Sequence, residues 1–327
     1  MRTKVIVLKN RPAGMPVPDD FALIEEEVPV VQEGEVLLQT IYVSVDPYLR
    51  GRMSGTKNPR FELGAPLASK MIARVIKSKR SEYKQGDYVI HYLNWKEYQV
   101  SDGTGLMHID DPLSVYLGVL GVTGLSAYFA LLDIGKPKAG ETLVVSGAAG
   151  AVGSIAGQIG KIKGCRVVGI VGSDEKVALV TQQFGFDKAI NYKTTPDIKA
   201  AIAQACPDGV DIYFDNVGGY ISDAVIAQMN PYGRIPVCGT IANYNDTGVP
   251  MGPAILPQVV YKFLTIQGFL IADFTKRFPE GMSQLAEWIS EKKLTYVETI
   301  REGFEQLPQA FLDLFEGKNE GKMIVKI

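Results

Sequence analysis

The run Ser146-Gly147-Ala148-Ala149-Gly150-Ala151-Val152-Gly153 follows the apolar stretch Thr142–Val145 and opens a helix-periodic stretch that ends near Lys163. A strand, a turn of small residues and a helix in that order make a unit that can hold a dinucleotide pyrophosphate. Gly150 lets the backbone approach the phosphates, Gly153 lets the helix close on the strand, and the helix N-terminus offers unpaired N–H groups and a partial positive charge. Ala148 replaces the first glycine of the usual G-x-G-x-x-G pattern, and without its strand and helix context the turn would be only a tight connection.

The tip of the next strand selects between cofactors. NAD-binding sheets place an acidic residue about 20 positions past the glycines to bond the adenine ribose. Here the tip reads Val171-Gly172-Ser173, with no carboxylate. Ser173 is a helix N-cap, and Lys176 extends from the first turn; a hydroxyl and an ammonium suit a 2′-phosphate, which favours NADP(H). Asp174 and Glu175 are read as helix-start carboxylates complementing the dipole. Two further loops, Asp215-Asn216-Val217-Gly218-Gly219 and Gly239-Thr240-Ile241-Ala242-Asn243-Tyr244, follow the fourth and fifth strands of the same unit. In open α/β sheets ligands bind at carboxyl ends of strands, so the nicotinamide half belongs beside them.

Other chemistries find no residues. The only histidines, His91 and His108, are not next to any of the three cysteines, Cys165, Cys206 and Cys238, so no zinc-ligand spacing exists and no metal is expected. His91 is placed on a strand and His108 in a loop. An odd, scattered cysteine set fits a reducing compartment, and no apolar run reaches the length of a secretory core or a membrane span; a cytoplasmic protein is expected. Lys plus Arg number 34 against 36 Asp plus Glu, a net charge of -2, which gives no basic field for nucleic acid or anionic lipid.

The elements that must position these residues fall into two kinds. With 327 residues, 46% hydrophobic and 21% charged, the chain has material for about two cores. Up to about Pro112, short β-rich runs (Val5–Leu8, Val36–Val45, Ser69–Ile76, Tyr88–Tyr92, Glu97–Val100) are broken by Gly, Pro and Asp turns and suggest a small, partly open barrel. From Leu117 onward, strands alternate with helical runs, which specifies a doubly wound parallel α/β sheet. Its strands are Thr142–Val145, Arg166–Val171, Ala189–Ile190, Asp211–Phe214, Arg234–Cys238 and Thr265–Gly268, and Gly164 and Gly185 stop its helices. The last helix, Leu307–Phe315, and strand, Lys322–Lys326, have no βαβ partner; they are expected to return to the first body, giving domains 1–116 with 302–327, and 117–301.

At this point the chain resembles the zinc-independent medium-chain dehydrogenase/reductases, in the branch of leukotriene dehydrogenase/prostaglandin reductases, plant alkenal double-bond reductases and bacterial curcumin reductases. The resemblance spans nearly the full length. It is carried by Asn10-Arg11-Pro12, Asp46-Pro47-Tyr48-Leu49-Arg50, the Ala148–Ser154 turn, Gly172-Ser173-Asp174-Glu175-Lys176, Asn191-Tyr192-Lys193, Asp215–Gly219, Tyr244-Asn245 and Gly321-Lys322. It implies a GroES-like catalytic domain joined to a Rossmann domain, a homodimer, and NADPH-dependent reduction of the C=C bond of an α,β-unsaturated ketone or aldehyde. Cofactor contacts would fall on Gly150, Ala151, Val152 and Gly153, on Ser173, Lys176 and Tyr192 at the 2′-phosphate, and on Asn216. They would continue on Cys238, Gly239, Thr240, Ile241 and Tyr244, on Phe269, Leu270 and Ile271, and on Asn319. Tyr244 matches the family tyrosine near the substrate carbonyl and Tyr48 the tyrosine of the D-P-Y motif. Tyr261, in the variable 249–261 segment that shapes the pocket, and Arg50 are weaker substrate-pocket candidates, and Arg50 is first of all a candidate for a structural ion pair.

The resemblance also gives the missing metal a chemical sense. Conjugate reduction delivers hydride to the β-carbon and spreads charge into an enolate, which hydrogen bonds can hold; Tyr244 would donate to the oxyanion and Tyr48 orient the carbonyl. NADPH:quinone reduction needs only an apolar cleft beside the nicotinamide and stays an alternative. A non-enzymatic NADP-binding sensor or structural protein is the alternative of another kind.

Overall fold

The computed structural model describes residues 1–54, 61–249 and 251–327. Six strands form one all-parallel sheet in the spatial order Lys188–Asn191, Arg166–Val171, Thr142–Ser146, Val210–Phe214, Met229–Val237, Thr265–Gly268. Numbered along the chain this is 3-2-1-4-5-6, the order of a dinucleotide-binding fold, and the direction of winding reverses between Thr142–Ser146 and Val210–Phe214. The central strands are rich in β-branched residues and buried except at Arg166 and Asp211, as expected when helices cover both faces. The helix Gly153–Ile162 packs on one face with Val122–Phe129 and Phe278–Ser290; Ile198–Ala205 and Gly219–Ala227 lie together on the other.

Gly164 and Gly185 both take positive φ, as helix stops should. Close helix-to-strand packing is made further along the helix than expected. A Cβ at Gly160 would overlap Leu143, whereas one at Gly153 would overlap the Gly147 carbonyl oxygen, so Gly153 closes the turn on itself.

The second sheet has seven strands. Its path runs Glu298–Glu302, Lys322–Lys326, Val36–Ser44, Ala68–Ser78, Tyr88–Asn94, Met107–His108, with Tyr98–Ser101 also pairing Val36–Ser44. The chain's last strand thus sits between Val36–Ser44 and Glu298–Glu302. A hairpin-like pair, Arg2–Leu8 with Phe21–Glu27, joins this sheet through the bridges Val5–Lys96 and Val7–Pro66. Trp95, Phe311, Phe304 and Leu38 are among its fully buried residues, so the returning helix Leu307–Glu316 contributes directly to this core.

Candidate active site

At the reversal point the two strand-end loops meet. Ideal Cβ positions place Gly147 within 3.6 Å of the Asn216 Cβ, and Gly147 itself needs a φ of 60°. Asp215, only 5% exposed, organises the loop behind Asn216: its Oδ1 accepts from Ser146 Oγ (3.1 Å), Tyr213 (2.9 Å) and the amides of Val217 (3.0 Å) and Gly218 (2.9 Å), and its Oδ2 accepts from Ser222. Asn216 is fixed in turn, its amide donating to Ser146 Oγ (2.9 Å) and its Nδ2 to the Ser146 carbonyl (2.7 Å). A carboxylate receiving this many donors is a rigid hub for the loop.

The second loop is anchored to the same hub. The amides of Cys238 (2.8 Å) and Gly239 (3.2 Å) donate to the Asp215 carbonyl, and Ala242 donates to Val217 (3.0 Å). A one-turn 3-10 helix, Ile241–Asn243, then ends at Tyr244. The Tyr244 hydroxyl lies 3.3 Å from where a Cβ of Gly239 would stand, so the phenol folds back over its own loop. Burial raises its pKa, opposed in part by a backbone hydrogen bond with Thr240. Burial also pushes the Cys238 thiol up to about 12, leaving it a packing residue. Phe269 and Ile271 pack against the same core; Leu270 faces out, 73% exposed.

At the other end of the crevice, Ser173 caps its helix by accepting from the Lys176 amide (3.3 Å). Asp174 accepts from Asn191 Nδ2 (2.8 Å), which turns this carboxylate toward the neighbouring strand. Tyr192 reaches Gly172, its hydroxyl 3.4 Å from the ideal Cβ position, with the Lys193 stem equally near. Lys176 donates to the Gly317 carbonyl (2.7 Å), and burial and the charge of Lys193 lower its pKa against the pull of Glu320. Lys193 is the residue that the sequence reasoning passed over here; its place after Tyr192 in a quoted motif was the available signal. The returning chain covers the corner: Gly321 donates to Ala149 (2.7 Å) and pairs with Gly150, while Asn319 Nδ2 donates to the Gly321 carbonyl (2.9 Å).

Tyr48 begins the short helix Leu49–Met53. Although the residue is 40% exposed, burial raises the pKa of its phenol, assisted by Asp46. The Arg52 guanidinium lies 5.3 Å from its ring and 4.9 Å from that of Tyr92, and Arg52 donates to the Tyr92 hydroxyl. Tyr92 donates onward to Ala68 (2.6 Å). Asp46 is held by the buried Lys322 (3.0 Å), which also donates to the Val45 (2.8 Å) and Met323 (2.9 Å) carbonyls. Arg52 and Tyr92 carried no sequence signal, because they lie 40 residues apart; Lys322 stood in the Gly321-Lys322 motif without an assigned role.

Three expectations change. Arg50, 4% exposed, makes no ion pair among the described residues; it donates to Asn245 Oδ1 (3.0 Å) and to the Pro12 (3.2 Å) and Gly14 (2.8 Å) carbonyls. Tyr261 closes the helix Leu256–Tyr261 and is 81% exposed, turned to solvent in the single chain; Pro250, in the same variable segment, lies outside the described residues. His108 belongs to the strand Met107–His108 and stacks on Tyr83 at 5.1 Å. His91 is on its strand, its pKa lowered by burial.

These residues fit NADP(H). Lys176 in the first turn after Gly172-Ser173, with the Lys193 stem and the Tyr192 hydroxyl against Gly172, gathers donors at one strand tip where a dianionic phosphate could be held. A Cβ at Gly153 would overlap the Gly147 carbonyl oxygen and one at Gly150 would come within 3.2 Å of it, so these glycines keep the turn tight. Among the described residues no cluster of three or more His, Cys, Asp or Glu could hold a metal.

Comparison with known proteins agrees. Residues 4–109 match the model of an N-terminal domain of oxidoreductases, and residues 151–288 match that of zinc-binding dehydrogenases. The chain is 44% identical to the NADPH-dependent curcumin reductase of Escherichia coli, over 100% of this chain and 97% of that one. It is likewise 44% identical to prostaglandin reductase 1 of Rattus norvegicus, over 100% and 99%. The structure of CurA from Vibrio vulnificus in complex with NADPH superposes with a TM-score of 0.95 at 41% identity, over 99% of this chain and 98% of that one. The polar fixtures of the crevice and this full-length similarity place the chain in the medium-chain dehydrogenase/reductase family, in its zinc-independent branch of curcumin and prostaglandin reductases.

Proposed function

We propose that the protein reduces the C=C bond of α,β-unsaturated ketones and aldehydes with NADPH. The observation that carries this reading is the Arg50–Asn245 hydrogen bond, which joins the segment of Tyr48 to the segment of Tyr244, the latter standing on a strand-end loop tied to Asp215 beside the glycine turn. Gly150, Ala151, Val152 and Gly153 would face the pyrophosphate; Ser173, Lys176, Tyr192 and Asn319 the adenosine end; Asn216, the 238–244 loop, Phe269 and Ile271 the nicotinamide end. When bound, NADPH supplies a hydride. A neutral phenol is a hydrogen-bond donor, and at Tyr244 it would stabilise the negative charge that gathers on the substrate oxygen; Tyr48 would hold the carbonyl in line. Protonation at the α-carbon follows from Tyr244 or from water.

The test is NADPH consumption, followed by fluorescence, across a panel of enones, alkenals and quinones. Turnover of enones or alkenals is expected; turnover of quinones alone would replace this reading with quinone reduction, and binding without turnover with a sensor role.

The sheet membership supports setting the division between bodies at residues 1–116 with 298–327, and 117–297, because the strand Glu298–Glu302 pairs with Lys322–Lys326. A homodimer is also part of the proposal. Thr265–Gly268 pairs on one side only, all four of its residues are exposed, and exposed Val260, Tyr261, Phe263 and Leu270 flank it. A second copy of the same edge would cover them. Three unpaired cysteines support a cytoplasmic setting.

A further inference from the structure

Arg50 ties together three segments that are far apart in the chain. It is carried by the helix that follows Tyr48, it donates to Pro12 and Gly14 from the N-terminal loop, and its Nε donates to Asn245, the residue after Tyr244. The same loop is held from the other side, where Arg11 donates to the Met53 carbonyl (3.0 Å) at the end of that helix. Other hydrogen bonds of the Tyr244 loop run within it or to the parallel-sheet body. Asn243 donates to Thr240 (2.9 Å), Asp246 donates to Asn243 (3.2 Å), and the Asn243 side chain donates to Asp246 (2.8 Å). Across the gap to the first body, the side chain of Asn245 accepts from Arg50 and donates to Met15 Sδ (3.1 Å), with Thr247 facing Gly14.

The Arg50 guanidinium is nearly sealed from solvent; its hydrogen bonds go to three neutral oxygens, and the buried carboxylate of Asp20 offsets its charge without forming an ion pair with it. A planar donor fork fixes direction as well as distance, so such a group is suited to setting where one segment sits relative to another. We propose that Arg50 and Asn245 are positioning residues for the reduction: their hydrogen bond holds the Tyr244 loop in register with the Tyr48 helix, so that the two phenols meet one substrate carbonyl. This rests on the reading of Tyr48 and Tyr244 given above. Neither Arg50 nor Asn245 touches the reacting atoms; both act through the tyrosines beside them.

The test is a double-mutant cycle with an enone that the wild-type enzyme turns over. Asn245→Ala removes the acceptor while leaving Arg50 its two backbone partners, so the fold is kept; the thermal midpoint and the NADPH dissociation constant report this. It is expected to lower kcat about tenfold with NADPH affinity unchanged, as befits one lost hydrogen bond to a charged donor. Asn245→Asp, which keeps an oxygen for Arg50, is expected to restore most of kcat. In a Tyr244→Phe background, Asn245→Ala is expected to cost less than twofold, because its route of action is already gone. An unchanged kcat in Asn245→Ala overturns the proposal, and so does an equal loss in both backgrounds. Full activity of Tyr244→Phe by itself is a different failure: it removes the assigned role of Tyr244, and the positioning proposal falls with it.

Discussion

At the scale of single residues, the proposed reading makes Lys176 the residue that separates the two nicotinamide cofactors. Its ammonium and that of Lys193 share one corner, and an added phosphate would meet both. Lys176→Ala should therefore weaken NADPH binding by about 2 kcal/mol, some thirtyfold, and NADH binding by less than twofold, as read by fluorescence titration. Equal losses would remove Lys176 from the phosphate site. Tyr244→Phe should lower kcat by about two orders of magnitude, the worth of one oxyanion donor of about 3 kcal/mol. The pH profile follows from the direction of the shifts. Both phenols titrate above their ordinary value of 10.0, so each stays a neutral donor as pH rises, and kcat should show no tyrosine-dependent fall below about pH 10. A loss near pH 8 that Tyr244→Phe abolishes would contradict this. The small-residue turn, Ser173 and Lys176 could be read from sequence because their chemistry depends on near neighbours. The partners of Arg50 could not, since its three acceptors lie at positions 12, 14 and 245, and only folding brings them within reach of one guanidinium.

At the scale of elements, the turn itself can be tested by adding one carbon. A Cβ at Gly153 would overlap the Gly147 carbonyl oxygen and force the turn open. Gly153→Ala should cost about 1–3 kcal/mol of stability by denaturant unfolding and should weaken NADPH binding at least tenfold. Unchanged NADPH affinity would mean that the pyrophosphate lies elsewhere. The buried strands were legible because each carries a continuous apolar run, and a strand covered on both faces has no room for polar alternation. Phe21–Glu27 and Glu298–Glu302 were not legible. The first ends in three successive glutamates and the second carries two glutamates and an arginine, so neither shows the alternation of a half-buried strand. What makes them strands is a partner: Arg2–Leu8 for one, Lys322–Lys326 for the other. Edge positions tolerate charge, and charge hides the period on which sequence reading depends.

At the scale of the whole molecule, the parallel sheet is closed at neither end, and the two edges differ in kind. At one edge Lys188–Asn191 mixes buried and exposed residues. At the other, Thr265–Gly268 is exposed at every position and lies close to Val260, Tyr261, Phe263 and Leu270, all more than 60% exposed. A strand edge bearing unpaired amides and flanked by large apolar side chains is a hazard unless something pairs with it, and self-pairing about a two-fold axis satisfies both the amides and the apolar surface. The same argument gives the exposed Leu270 and Tyr261, which the family resemblance assigns to cofactor and substrate, an environment that the single chain lacks. The purified protein should sediment as a dimer at micromolar concentration. Val260→Glu combined with Ile266→Glu places like charges on both copies near the axis and should shift it to monomer, measured by sedimentation velocity, while far-UV circular dichroism stays unchanged. If Tyr261 takes its environment from the second copy, the monomeric variant should lose catalytic efficiency, seen as a raised KM for the enone. A wild-type protein that sediments as a monomer at all accessible concentrations would remove the edge from the assembly and leave Tyr261 outside the site.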